Sequence, residues 1–337
     1  MEVEKSALME LPKEILDLIM RRTDFQTIQC LRKVSRPLRD FIDEKKMEVN
    51  LLDLAIDARA GCIDMMISAP RLSLRIEYKK QGNDCLVRCN DRSQKVIRNE
   101  DFMKVARNDI RDILKHHKAV MRGGMFSFQN ESFHFRSPLY FDYITNLKND
   151  LQATNGNLKI KHIECIVLHE DQVVDILQLV DLEPLKSIRI ISYVQNYEDI
   201  FSLNRLVTLP HWRKAEQLVV SGFIVNASIQ NFSHFKKAEV FVFNMSIGKV
   251  NTLKNAYIAL PGFNRVFIEF RHFSDFPNFL ENFAHPFVEG PQLDNDIRGW
   301  FFAIPSSDKA LHITIHRNHG ITFRAVERPP QDILIMN

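Results

Sequence analysis

Apolar residues in the first forty-odd positions recur at helical intervals. After Leu11 and Pro12 come Ile15, Leu16 and Ile19, and the stripe ends near Arg22. Such spacing gathers side chains on one side of a helix with 3.6 residues per turn. Pro12 suits the first helical position, where its missing N–H costs nothing. Thr23 and Asp24 supply a capping signal for a second helix carrying Phe25, Ile28 and Leu31. Beyond Pro37, the residues Leu38, Phe41 and Ile42 mark a third. One short helix cannot hide Leu11, Ile15, Leu18, Ile19 and Met20 together, so an edge of apolar residues is expected to meet something else.

The pattern predicts a helix over 50–70, closed by Ala69 and Pro70. The runs LSLRIEY and CLVRC, split by KKQGND, alternate as the arms of a β-hairpin. Phe102, Val105, Ala106, Ile110, Ile113 and Leu114 keep helical register between Asp101 and Val120. MFSFQNESFHF reads as a second short hairpin, and Pro138 to Leu151 as a helix.

From Leu158 onward the pattern repeats as apolar-x-x-apolar-x-x-apolar-x-apolar. The sets are Ile160, Ile163, Ile166, Leu168; Leu182, Leu185, Ile188, Ile190; Trp212, Ala215, Leu218, Val220; Phe235, Ala238, Phe241, Phe243; and Leu260, Phe263, Val266, Ile268. Between third positions the steps are 22, 30, 23 and 25 residues. Helical stretches such as EDQVVDILQLVD and GKVNTLKNAYIAL fill the gaps. A strand and a helix at this period match the length class of leucine-rich repeats. The Asn or Cys of those repeats is absent: the corresponding places hold Asp171, Tyr193, Phe223, Ser246 and Arg271. The alternative is an α/β domain whose strands look alike. ALHITIH near the C-terminus reads as a further strand.

Composition narrows the function classes. The chain has 337 residues, 45% apolar and 26% charged, with a formal charge of +3. These are proportions of a globular protein, without a basic run of the kind that binds nucleic acid or anionic membranes. The start, MEVEKS, is acidic where a signal peptide is basic, and no 18-residue apolar stretch follows, so the expected location is cytoplasmic or nuclear. Five cysteines in no pairing pattern fit a reducing compartment. The 11 glycines are about half the usual share of roughly 7%, which weighs against phosphate-cradling loops and nucleophile elbows.

Motifs for catalysis are not found. His312, His316 and His319 have suggestive spacing, but no cysteine or carboxylate pair joins them, and no metal is expected there. Cys85 and Cys89 are one residue too far apart for a C-x-x-C motif and read as hairpin residues. RGG at 122–124 reads as a helix stop. Asp294 and Asp296 sit in a polar loop. No cofactor and no enzyme activity are expected.

Residues 11 to 42 resemble an F-box. Leu11-Pro12, Glu14, Ile15-Leu16 and Ile19 are followed by Phe25, Ile28, Leu31, Val34-Ser35 and Ile42 in the order and spacing of that family. Leu38 stands where many members carry Trp, and Pro37 beside it is unusual. CLRKVSRPLRDFID, the hairpin after residue 70, DFMKVARNDIRDILKHHK and WFFAIPSSDKALHIT follow in the order of the nematode-type F-box A family, whose remaining chain is an FTH domain. The implied fold is α/β: a small three-helix F-box over 1–48, a helix and hairpin region opening the FTH domain over 49–155, and strand–helix units over 156–337 forming an irregular leucine-rich-repeat-like solenoid.

The resemblance implies a substrate-recognition subunit of an SCF-type ubiquitin ligase. The F-box docks on a Skp adaptor and through it a cullin, the remainder selects an unknown target protein, and the ubiquitin chemistry resides in other subunits. Leu11, Pro12, Ile15, Leu16, Ile19, Leu31 and Val34 would bind the adaptor. On leucine-rich-type strands the residues between the recurring apolar ones face the open surface. This gives Val167, Arg189, Val219, Val242 and Phe267 as the target-binding column, flanked by His169, Ile191, Gln217, Ser221, Asn244, Arg265 and Glu269. The competing expectation is that WFFAIP folds over this face and makes it core. Other readings are a non-degradative scaffold, N-terminal helices that merely cap the solenoid, an RNA-binding solenoid and a cryptic hydrolase. Neither nucleic acid nor membrane is an expected partner.

Overall fold

In the computed structural model, residues 7–23, 27–28, 31, 36–45, 50–70, 72–90, 93–114, 117–128, 138–154, 156–193, 199–274, 297–305, 307–316, 320–327 and 335–336 are described. The chain is α/β and divides into two compact units, 1–161 with 178–184, and 162–177 with 185–337.

The first unit opens with helices α1 (Lys13–Arg22) and α2 (Arg36–Lys45). Leu16 and Met20 of α1 pack with Ile28 and with Leu38, Phe41 and Ile42 of α2, with Leu8 and Leu31 partly buried against them. Four-residue steps place Leu16 under Met20 and Leu38 under Ile42, so each helix offers one apolar side. Leu38 fills the family's Trp position and is 1% exposed. Most of the expected middle helix, including Phe25, Val34 and Ser35, lies outside the described residues.

Residues 50–70 are strands, not the expected helix. β1 (Asp53–Arg59), β2 (Cys62–Ala69), β3 (Leu72–Gln81), β4 (Asp84–Cys89) and β5 (Ser93–Ile97) form an antiparallel meander. Gly61 takes φ 69 and turns the chain between β1 and β2, dividing what reads in sequence as one helix. Leu54, Ile56 and Ala58 then alternate inward along β1. The other edge of β1 pairs in parallel with β6 (Met121–Phe128), a long-range contact that no local pattern reveals. RGG thus sits in a strand, and a Cβ on Gly124 would come within 2.6 Å of Ile160 Cδ1. The second half of the expected hairpin MFSFQNESFHF lies outside the described residues. Helices α3 (Phe102–Leu114) and α4 (Pro138–Thr154) fall where their spacing predicts.

In the second unit, strands β7 (Ile160–Val167, from His162), β8 (Ser187–Ser192), β10 (Gln217–Ser221), β12 (Lys237–Met245) and β13 (Arg265–Phe273) are successive parallel neighbours. Helices α5 (Glu170–Leu177), α6 (Pro210–Lys214) and α7 (Ile247–Ala259) lie in the connections. Short β9 (Ile200–Ser202) and β11 (Ile224–Asn226) form a side strip joined to β12. One backbone device recurs at the strand starts. Lys186 O accepts the N–H groups of Glu216 and Gln217, Glu216 O those of Lys236 and Lys237, and Lys236 O those of Asn264 and Arg265.

The parallel run stops at β13. Beyond it the sheet continues through antiparallel β16 (Gly320–Glu327), β15 (Lys309–His316) and β14 (Ile297–Ala303), with β17 (Ile335–Met336) parallel to β14. WFFAIP therefore enters β14, a strand of the sheet, rather than covering the face of the parallel strands.

Candidate interaction surfaces

Pro12 has φ −52 and ψ 142, and its carbonyl accepts the N–H groups of Ile15 and Leu16 at 3.0 Å each. It is the residue just before α1 rather than the first helical one. From there the helix divides its apolar residues between two sides. Leu16 and Met20 are 2% and 0% exposed and belong to the helical core, whereas Ile15 and Leu18 are 45% and 48% exposed. Leu11 and Ile19 are half-buried and Pro12 is exposed. The outer side of α1 is thus a strip of Leu11, Pro12, Ile15, Leu18 and Ile19. Leu16, expected on the docking edge, is removed from it by burial, and half-buried Leu31 packs against the core. Val34 lies outside the described residues. Leu18 was missing from the expected set, although its place three residues after Ile15 signals the same side.

The parallel sheet of the second unit has one buried side and one open side. Pairing puts Ile163, Ile188, Leu218, Ala238 and Val266 in one inward row. The equivalent positions are then 25, 30, 20 and 28 residues apart. Sets two, three and five of the sequence pattern match this register, while sets one and four are displaced by one slot. The cause is the period of a strand. Once Ala238 faces inward, Val240 and Val242 must follow, and the larger Phe241 and Phe243 face out. Val167 and Val242, expected in the open column, are 0% and 5% exposed. Arg189, Val219 and Phe267 do share the open side.

The corrected open rows follow from the same pairing. The first row is His162, Ser187, Gln217, Lys237, Arg265 and, on β16, Arg324. The second holds Glu164, Arg189, Val219, Glu239, Phe267 and Thr322; beyond it Ile166, Ile191 and Ser221 are paired across β7, β8 and β10, and Phe241 with Glu269 across β12 and β13. Of the expected flanking residues, Ile191, Gln217, Ser221, Arg265 and Glu269 are among these; Asn244 is exposed and His169 half-buried beyond them. Arg189 Nε is 3.7 Å from Glu164 Oε2. Just before the strands, Glu216 bridges Lys186 at 2.9 Å and Lys236 at 3.1 Å. Hydrogen bonds from Lys186 and then Lys236 hold its carboxyl below the usual range.

Titratable clusters elsewhere are structural in character. Cys62, Asp64 and Glu77 bring a thiol and two carboxylates within 4.8 Å of one another. Asp64 is already held by Arg59 at 2.7 Å and Arg75 at 3.1 Å, and Glu77 by Arg88 at 3.2 Å. Burial, then Asp64 and Glu77, push the Cys62 thiol up to about 11. A protonated thiol beside carboxylates that already have arginine partners is a poor donor set for a cation. Burial likewise raises Cys85 to about 11. His312 stacks on Phe301 with centroids 4.3 Å apart; His319 and the side chain of His316 lie outside the described residues. A pocket lined by Leu114, His117, Met121, Leu158 and Lys159 lies in the first unit, where Leu51 N–H donates to His117 Nδ1 at 3.3 Å.

Comparison with known families assigns both regions. The F-box domain model matches residues 8–49 and the FTH domain model residues 141–287. The chain is an F-box protein with an FTH domain, the architecture of the nematode-type F-box A family. F-box domains bind Skp-type adaptors, and both families are typically non-catalytic. No curated protein and no solved structure matches the chain. Among the described residues, no helix is long and apolar enough to cross a membrane.

Proposed function

We propose that this protein is a substrate-recognition subunit of an SCF-type ubiquitin ligase, docking a Skp adaptor through α1 and holding a target protein with its FTH domain. The observation that carries the reading is the outer strip of α1. A ten-residue helix inside an F-box match leaves Ile15 and Leu18 about half exposed, while its other side is committed to the core. Unpartnered apolar strips of this kind mark partner surfaces. The adaptor edge is then Leu11, Pro12, Ile15, Leu18 and Ile19, with Leu16 positioning it from beneath. Cullin joins through the adaptor, and ubiquitin transfer takes place on other subunits.

On the FTH side, the open face of the parallel strands is the target surface, with Arg189, Val219 and Phe267 at its centre. The test is affinity purification from cells with mass spectrometry. Recovery of Skp and cullin subunits with the wild-type chain, and their loss with a folded Leu11→Ala/Pro12→Ala variant, is the expected result. Equal recovery with both would overturn the docking edge.

A further inference from the structure

The first open row of the FTH sheet ends in three cations on three adjacent strands. Lys237 on β12 sits opposite Arg265 on β13, and Arg265 opposite Arg324 on β16. All three are exposed. None forms an ion pair with another described residue, although Lys186 and Lys236 nearby share Glu216. Like charges directly opposite one another destabilise a sheet. Neighbouring strands lie about 4.8 Å apart, so the three charges extend over about 10 Å. Further along the same strands the face carries two phenylalanines, each directly opposite a carboxylate, Phe267 opposite Glu239 and Phe241 opposite Glu269. Phe267 stands two residues beyond Arg265, Phe241 four beyond Lys237, and Phe243 is 46% exposed. Gly320 makes room for this floor, since a Cβ there would come within 2.8 Å of the Phe267 ring.

We infer that this end of the face binds an extended acidic segment of a partner protein, its carboxylates on Lys237, Arg265 and Arg324 and a following large apolar side chain on Phe267 and Phe241. This deepens the target-binding reading and rests on it. The charges stand side by side rather than converging on a point, which suits successive carboxylates better than one phosphoryl group. Two of them are Arg, whose fork matches carboxylates in a bidentate fashion. Glu239, directly opposite Phe267, and Glu269, directly opposite Phe241, share the face and repel a continuous polyanion such as RNA, so the segment must be uncharged where it leaves the cationic row and passes beside them. The distance from Lys237 to Phe241 equals about four residues of extended chain, roughly 13 Å.

The test uses the full chain and an array of labelled twelve-residue peptides, each with a glutamate triplet and a phenylalanine two to five residues later. Fluorescence anisotropy is expected to show binding strongest at a spacing of three or four. Affinity should fall at least about tenfold for Lys237→Glu/Arg265→Glu, with steep salt dependence. A lysine-triplet peptide should bind the reversed variant in return. Equal binding of glutamine-triplet peptides, tighter binding of a single-stranded RNA or a single-phosphoserine peptide, or no binding at all would overturn the proposal. Arg265→Gln should melt no lower than the wild type, because the row is strained rather than stabilising; a lower melt would show that it serves the fold. Adaptor capture is expected to be unchanged in these variants, and its loss would count against this proposal, whereas failure of the wild-type chain to capture the adaptor would count against the F-box reading alone.

Discussion

The two sides of α1 make the sharpest contrast in the molecule. Leu16 and Ile15 are adjacent and nearly isosteric, yet the first is 2% exposed and the second 45%. Truncating Leu16 to Ala removes packing against Met20, Ile28, Leu38, Phe41 and Ile42. A buried leucine truncation costs about 2–5 kcal/mol, a large share of the roughly 5–15 kcal/mol that stabilises a domain. Full burial of an Ile or Leu contributes about 1.5–3 kcal/mol, so the exposed fractions of Ile15 and Leu18 leave about 0.7–1.4 kcal/mol each to be gained on docking. Ile15→Ala/Leu18→Ala should therefore weaken adaptor binding by about 1.4–2.8 kcal/mol, a factor of about ten to one hundred. Its fold should stay within about 1 kcal/mol of the wild type. Calorimetric titration with purified Skp adaptor measures the first quantity, and amide exchange across residues 13–45 the second. Undiminished affinity in the double variant would refute the assignment of the outer side. Equal loss of exchange protection in Ile15→Ala and Leu16→Ala would refute the division of the helix itself.

Other expectations follow from the same geometry. Val219→Asp and Phe267→Asp lie on the open face opposite Glu239 and should lower the melt only modestly, whereas Val167→Asp or Val242→Asp buries an unpaired charge and should prevent cooperative folding, read by thermal scanning. Gly320→Ala places a Cβ 2.7 Å from the Ile268 carbonyl oxygen and should lower stability by about 1–3 kcal/mol in denaturant titration. Burial holds the His234 imidazole below its usual range, against the opposing hydrogen bond with the Trp212 carbonyl. Its contribution is present above the unfolded value near 6.5 and lost as pH falls through the lower folded value. His234→Gln should flatten the pH dependence of the melt below 6.5. Cys62 and Cys85, raised to about 11, should react slowly with iodoacetamide at neutral pH in the native chain and quickly once it is unfolded.

Periodicity alone was enough for α1, α2, α3, α4, α5 and α7, because a helix is closed by bonds within its own segment and its apolar side is set by residues three and four apart. The Leu-Pro end with its following aliphatics likewise carried the F-box reading, and the β3–β4 hairpin was legible from its alternation and the Gly82-Asn83 turn. Strand identity and strand facing were not local properties. Residues 50–70 carry an apolar pattern that serves a helix as well as two strands, and pairing of β1 with β6, some seventy positions away, decides between them. In β7 and β12 nearly every position from the middle onward is apolar, so the chain does not mark its own outside. Pairing of Ala238 with Leu218 and Val266 does, and because the period is two, a displacement by one residue moves a whole strand's side chains to the other face. The same dependence governs the cationic row. Lys237, Arg265 and Arg324 are scattered over nearly ninety residues of sequence and become one charge cluster only when three strands fall into register.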